Sequence, residues 1–185
     1  MKKIVLIVFA LLFGTTTAIA QQKALGVRAS LLDSGVSYQY YSGHRADFFE
    51  FDLTLIPYPK HLGVILTAVY DFSIHEWDYK DKGALNLYSG IGVGAGYSSS
   101  WSFYSYSDGE YMRLGRGYTN GPDLYLPIQL GIEYKFASRP LQISLDIRPC
   151  PGWHFYNAPD KVYRTFTFMQ SILGLLPALG IRYRF

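Results

Sequence analysis

The chain has 185 residues, room for one domain, with 17 Lys plus Arg against 14 Asp plus Glu. Setting aside an amino-terminal leader that carries Lys2 and Lys3 leaves 15 basic residues against the same 14 acids, and nothing in that balance, or in any Lys/Arg run, points to nucleic acid. The single Cys150 excludes an intrachain disulfide, and no Cys/His cluster has zinc-ligand spacing, so neither a disulfide scaffold nor a metal or other cofactor is expected.

In chain order, Lys2 and Lys3 precede the apolar run Ile4 to Phe13, and the small-residue site Ala18-Ile19-Ala20 follows. That layout predicts a secretory signal peptide over residues 1–20, cleaved before Gln21. A retained membrane helix is the rival reading, but the run falls well short of the roughly 20 apolar residues that spanning requires. No cysteine follows the run, so lipoprotein anchoring finds no support. Residues 21–185 show no linker, charge block or composition change and are read as one domain.

From residue 25 the hydrophobicity is spread over eight segments of period two. Leu25, Val27, Ala29 and Leu31 alternate with Gly26, Arg28 and Ser30; Asp33-Ser34-Gly35 then turns into Val36, Tyr38 and Tyr40. Phe49, Phe51, Leu53 and Leu55 enclose Glu50, Asp52 and Thr54, and Leu62 to Phe72 oppose Thr67, Asp71 and Ser73. Ile91, Val93, Ala95 and Tyr97 face away from Gly90, Gly92, Gly94 and Gly96, which leave room on their side. Leu126 to Phe136 oppose Gln129, Gly131, Glu133 and Lys135; Leu141 to Ile147 oppose Gln142, Ser144, Asp146 and Arg148. The final segment places Leu173 to Phe185 opposite Gly174, Ala178, Gly180, Arg182 and Arg184.

One such segment alone also suits the edge of a soluble sheet; eight predict an all-β fold, an eight-stranded antiparallel up-and-down transmembrane β-barrel with apolar side chains toward lipid and charges inside. A register slip would move those charges into lipid, at roughly 2 to 4 kcal/mol for Arg or Lys near the midplane, so the pairing is strongly specified. Connections 98–122 and 149–168 are expected as long external loops, Ala137 to Pro140 as a short periplasmic turn, and His75 to Gly83 as a longer periplasmic connection.

Three stretches carry a resemblance: Leu85 to Gly94, Leu130 to Pro149 with its short turn, and the ending Gly180-Ile181-Arg182-Tyr183-Arg184-Phe185. In these the chain resembles the small eight-stranded outer-membrane barrels of Bacteroidetes, similar to the OmpA transmembrane domain and OmpX. The resemblance implies an integral protein of a Gram-negative outer membrane, in contact with its lipid. It also implies that Gly180, Tyr183 and Phe185 form the signal read by the outer-membrane barrel assembly machinery, with Ala178 standing where that signal often has a polar residue.

The inward faces gather Arg28, Lys135, Arg148, Arg182 and Arg184 against Glu50, Asp52, Asp71, Glu133 and Asp146. Such a set can pair across a lumen that side chains fill, which predicts a salt-bridged plug; a narrow, porin-like path for ions is the alternative. Externally, Trp101, Phe103, Tyr104, Trp153, His154 and Tyr156 belong either to an aromatic interface girdle or to a binding surface for a protein, glycan or lipid. A lipid A acyl hydrolase or transferase would need a serine activated by histidine and oriented by a third group; only His154 lies in a long external connection, and no His-x-Ser pair flanks it. The expected function is therefore a non-enzymatic structural or surface-binding barrel, with a subunit of a larger outer-membrane assembly as the alternative.

Overall fold

The computed structural model describes residues 23–42, 46–57, 62–108, 111–157, 162–167 and 174–185; of residues 62, 100–108, 111–118, 157, 162–165 and 167 it describes the backbone alone. The leader and Leu173 lie outside the described residues. Eleven strands form one antiparallel sheet: β1 (Lys23–Ala29), β2 (Ser34–Tyr41), β3 (Phe48–Pro57), β4 (Leu62–Asp78), β5 (Gly83–Asp108), β6 (Tyr111–Tyr125), β7 (Ile128–Phe136), β8 (Leu141–Ile147), β9 (Gly152–Asn157), β10 (Val162–Thr167) and β11 (Ala178–Arg184).

Eight of them close a ring, β1-β2-β3-β4-β5-β7-β8-β11, with β11 back on β1 and the lower half of β5 on β7. Following paired residues once round, from Ala84 through Lys135, Gln142, Arg182, Gly26, Ser37, Asp52 and Thr67, returns to β5 at Gly94, a stagger of ten residues. At about 3.3 Å per residue and about 4.8 Å per strand, that stagger tilts the strands by roughly 40° and holds the backbone roughly 8 Å from the axis. A tube this narrow is filled by its own side chains. Closure also pairs the strand edges, the requirement that a hydrocarbon surround imposes on a sheet.

Alternation sorts the residues as the sequence pattern predicts. Ile91 and Val93 are 62% and 63% exposed on the outside, and Leu53, Leu66, Leu130, Leu145 and Ile181 stand out likewise. Glu50, Asp71, Glu133 and Arg182 are buried inside. Water would favour the reverse arrangement; an apolar surround stabilises this one. At two of the β5 glycines the space is occupied by neighbouring side chains: a Cβ on Gly90 would sit 2.3 Å from Asp71 Oδ1, and one on Gly94 would sit 2.9 Å from Thr67 Cγ2.

Two expectations about connections change. The stretch His75 to Gly83 is mostly strand, because β4 runs to Asp78 past a bulge between Ser73 and His75, leaving only a tight turn. There Lys80 has φ 52° and its N–H donates to Asp78 Oδ1 at 2.8 Å.

Residues 98–122 and 149–168 are not long loops either: most of them extend the staves of the barrel. β5 pairs with β6 in the register it already holds with β7, out to Asp108 opposite Tyr111. β6 runs into β7 across Pro127, and β8 into β9 across Pro149 and Pro151. Prolines lack the N–H a ladder needs, yet their carbonyls keep it in step: Gly92 N–H donates to Pro127 O at 2.9 Å, Leu126 N–H to Pro151 O at 2.8 Å and Ile128 N–H to Pro149 O at 3.0 Å. Beyond the prolines β6, β9 and β10 pair in that order, so β5, β6, β9 and β10 form a wall above one side of the mouth. A strand tilted this way climbs about 2.5 Å per residue, so β5 reaches roughly 27 Å past Tyr97. On the opposite side β1 and β2 join low, through a turn closed by Ser30 N–H donating to Asp33 O at 2.8 Å.

Candidate functional site

Two groups of inward side chains stand out: the charges in the lumen and a histidine chain in the wall. The lower end of the lumen, where β1 starts and β11 ends, is organised by Tyr41. Its hydroxyl lies 2.8 Å from Glu133 Oε1, 3.0 Å from Gln39 Oε1 and 3.1 Å from Gln142 Oε1. Lys135 Nζ is 3.5 Å from Glu133 Oε1 and 4.2 Å above the centre of the Tyr41 ring, so its charge has both an acid and a π face.

Glu50 is the hub of the middle layer. It accepts from Gln39 Nε2 at 2.7 Å, from Arg182 Nη2 at 3.0 Å and from Arg148 Nη2. Arg182 also donates to Ser37 Oγ at 2.8 Å and Ser144 Oγ at 2.7 Å, while Arg148 joins Asp52 and reaches Thr67 Oγ1 at 3.3 Å. These side chains come from β2, β3, β4, β8, the residue just after β8 (Arg148) and β11, so the network ties opposite walls together. Gly180 is small for a visible reason: a Cβ there would meet Ser144 Oγ at 2.3 Å and Arg182 Nη1 at 2.7 Å. Tyr183 and Phe185 follow at the lower rim, both partly exposed.

Above this layer Arg28 donates to Asp146 Oδ1 from Nη2 at 2.5 Å and from Nε at 3.0 Å. A cavity of about 40 Å³ lies beside it, lined by Arg28, Asp33, Thr67, Arg148 and Cys150 among others. Such a volume is on the scale of a single water.

The balance of five charges of each sign does not become five pairs. Arg184 leaves the lumen for the lower rim, donating to the carbonyls of Phe136 at 2.5 Å and Arg139 at 3.1 Å. That rim position lets it close the β7–β8 turn. Asp71 is fully buried, and among the described residues neither of its oxygens has a hydrogen-bond partner.

In the wall, His154 on β9 stands opposite Asp123 on β6. His154 Nδ1 is 2.7 Å from Asp123 Oδ1, Nε2 is 3.1 Å from Thr119 Oγ1, and the imidazole stacks on Tyr156 at 5.9 Å. His154 and Asp123 are almost wholly buried, as is Tyr156. Neither His154 nor Tyr156 is thus surface for a partner in this arrangement. Trp153 is the exposed member of that group: it faces outward, edge-on to Phe166 at 5.5 Å. The side chains of Trp101, Phe103 and Tyr104 are outside the described ones; their backbones lie in the β5 part of the wall, paired with Tyr118, Arg116 and Gly115.

The neutral partners Ser37, Gln39, Gln142 and Ser144 escaped a reading that counted only charges, though each alternates with apolar residues on its strand. Asp123 and His154 carried a findable signal. Continuing the register of β7 and β8 through the prolines places them face to face.

No protein-family model matches the chain, and no curated protein matches it. Among solved structures it is similar to the N-terminal β-barrel domain of Pseudomonas aeruginosa OprF, 15% identical, with 89% of this chain and 98% of that one covered and a TM-score of 0.42. The barrel described above rests on the strand pairings of this chain, not on that similarity.

Proposed function

We propose that this chain is an integral protein of a Gram-negative outer membrane, exported with a cleaved signal peptide, whose filled barrel is a non-enzymatic scaffold for the external wall. The observation that carries this reading is the sorting of the two faces of a closed ring: charged and amide side chains interlocked inside, an apolar band outside. With this stagger and strand number the interior is narrow enough for side chains to fill it, which favours a plug over a channel. Gly180, Tyr183 and Phe185 are assigned to recognition by the barrel assembly machinery, as the family resemblance implies. Both nitrogens of His154 are engaged, by Asp123 and by Thr119, and its neighbouring hydroxyl is that of a β-branched residue within a strand; a serine poised for acyl transfer is not among these contacts. The wall, with Trp153 on its outer face, is the part able to meet a protein, glycan or lipid headgroup.

Reconstitution in planar bilayers tests the reading. A filled lumen predicts no stable openings above background, and protease added to intact cells should cut within the wall only. Steady conductance steps would overturn the plug, and a changed lipid A profile on deleting the gene would overturn the non-enzymatic assignment. A second reading, a subunit of a larger envelope assembly, is favoured by β10: it ends the strand order, so among the described residues its outer edge has no strand beside it. Native extraction in mild detergent, yielding one stoichiometric partner, would select that reading.

A further inference from the structure

We propose that Asp71, together with Gln129, binds one monovalent metal cation of the sodium or potassium class inside the lumen. Arg28, Arg148, Arg182 and Lys135 each have an acid within ion-pair distance, and between them they engage Asp146, Glu50, Asp52 and Glu133, with Asp33 at the upper mouth 3.9 Å from Arg28. Asp71 is engaged by none of them, and the remaining candidate cation, Arg184, is spent on carbonyls at the rim. Among the described residues the lumenal acids outnumber the lumenal cations, and Asp71 is the one left without a partner.

The shortfall is localised. Asp71 and Gln129 are the two register neighbours of Gly90, one from β4 and one from β7. Both are fully buried, and Asp71 Oδ1, Asp71 Oδ2 and Gln129 Oε1 are all acceptors without a donor. Gly90 leaves the space between them to the Asp71 carboxylate, since a Cβ there would sit 2.3 Å from Asp71 Oδ1. Gln129 Nε2 is 3.5 Å from the Tyr88 hydroxyl, so the donor end of the amide is turned toward that ring.

An ionised carboxylate buried with no donor is too costly to persist uncompensated. One carboxylate and one amide oxygen match a singly charged ion. Calcium or magnesium would bring two charges to a single free carboxylate. The site goes beyond the scaffold reading and stands or falls separately from it.

The test uses the full chain refolded in phosphatidylcholine vesicles, with urea unfolding followed by tryptophan fluorescence at constant ionic strength as sodium chloride replaces choline chloride. Choline is too large for the filled lumen, and the anion never changes. The wild type should unfold at a higher urea midpoint in sodium, with an effect that saturates, whereas Asp71→Asn should unfold at one midpoint in both salts. Gln129→Met keeps the charge, removes one oxygen, and should raise the half-saturating sodium concentration by about tenfold, the equivalent of about 1.4 kcal/mol. Equal wild-type midpoints in sodium and choline would overturn the proposal, since a proton would then neutralise Asp71. A sodium effect that survives in Asp71→Asn, or is untouched in Gln129→Met, would overturn it by placing the ion elsewhere.

Discussion

The lower and upper halves of β5 belong to one strand in one register, yet they solve different problems. From Gly83 to Tyr97 the strand has paired neighbours on both sides through most of its length and shows apolar side chains to one surround and a glycine face to a crowded interior. From Ser98 to Asp108 it pairs only with β6 and stands beyond the closed ring. The lower half is specified by closure and burial of charge, and the upper half by a few local contacts such as the one between Asp123 and His154. Damage to the first should unfold the molecule, and damage to the second should loosen only the wall.

The largest difference is expected from the hub of the lumen. Arg148→Ala strands Asp52 and takes one of three donors from Glu50, and removing one partner from a buried network costs about 3 to 5 kcal/mol; the urea midpoint of the whole barrel should fall accordingly. A paired substitution on the outer face of one stave comes next. Leu130→Arg places a charge near the middle of the apolar band and should destabilise by about 2 to 4 kcal/mol in vesicles, whereas Leu124→Arg, near its upper limit, should cost about 0 to 1 kcal/mol. Similar costs at the two positions would mean that the band does not end where the wall begins.

The smallest global effect should follow His154→Ala. It removes the two hydrogen bonds of the imidazole and its stacking on Tyr156 and leaves Asp123 buried, a loss of about 1 to 3 kcal/mol that should appear as faster amide exchange in β6 and β9. The urea midpoint of the barrel should stay where it was, because the ring closes without β9. A matching fall in the global midpoint would show that the wall and barrel unfold together.

The same division decides what could be read in the sequence. Alternation from Leu126 to Phe136 and from Leu141 to Ile147 is uninterrupted, and β7 and β8 lie there. Lumenal charges betrayed themselves by their parity, since Arg28, Glu50, Asp146 and Arg182 each sit between outward apolar neighbours. The wall was hidden because Pro127, Pro149 and Pro151 look like strand ends, while Ser98 to Ser107 lack an aliphatic face, so the stretch reads as loop. Parity also says nothing of partners. That Arg184 would turn to the rim carbonyls and leave Asp71 alone depends on the ten-residue stagger and on where the β7–β8 turn lies, neither of which is written in the spacing of charges.

Spin labels placed one at a time along the outer face of a single stave, at Asn120, Leu124, Ile128 and Ile132 in vesicle-embedded protein, test the division most directly. Relaxation by oxygen, which concentrates in lipid, should dominate at Ile128 and Ile132, and relaxation by a water-soluble nickel complex should dominate at Asn120, with the crossover near Leu124. Aqueous relaxation at Ile128 and Ile132 would contradict a lipid-facing barrel, and lipid-like relaxation at Asn120 would contradict a wall that rises beyond the membrane.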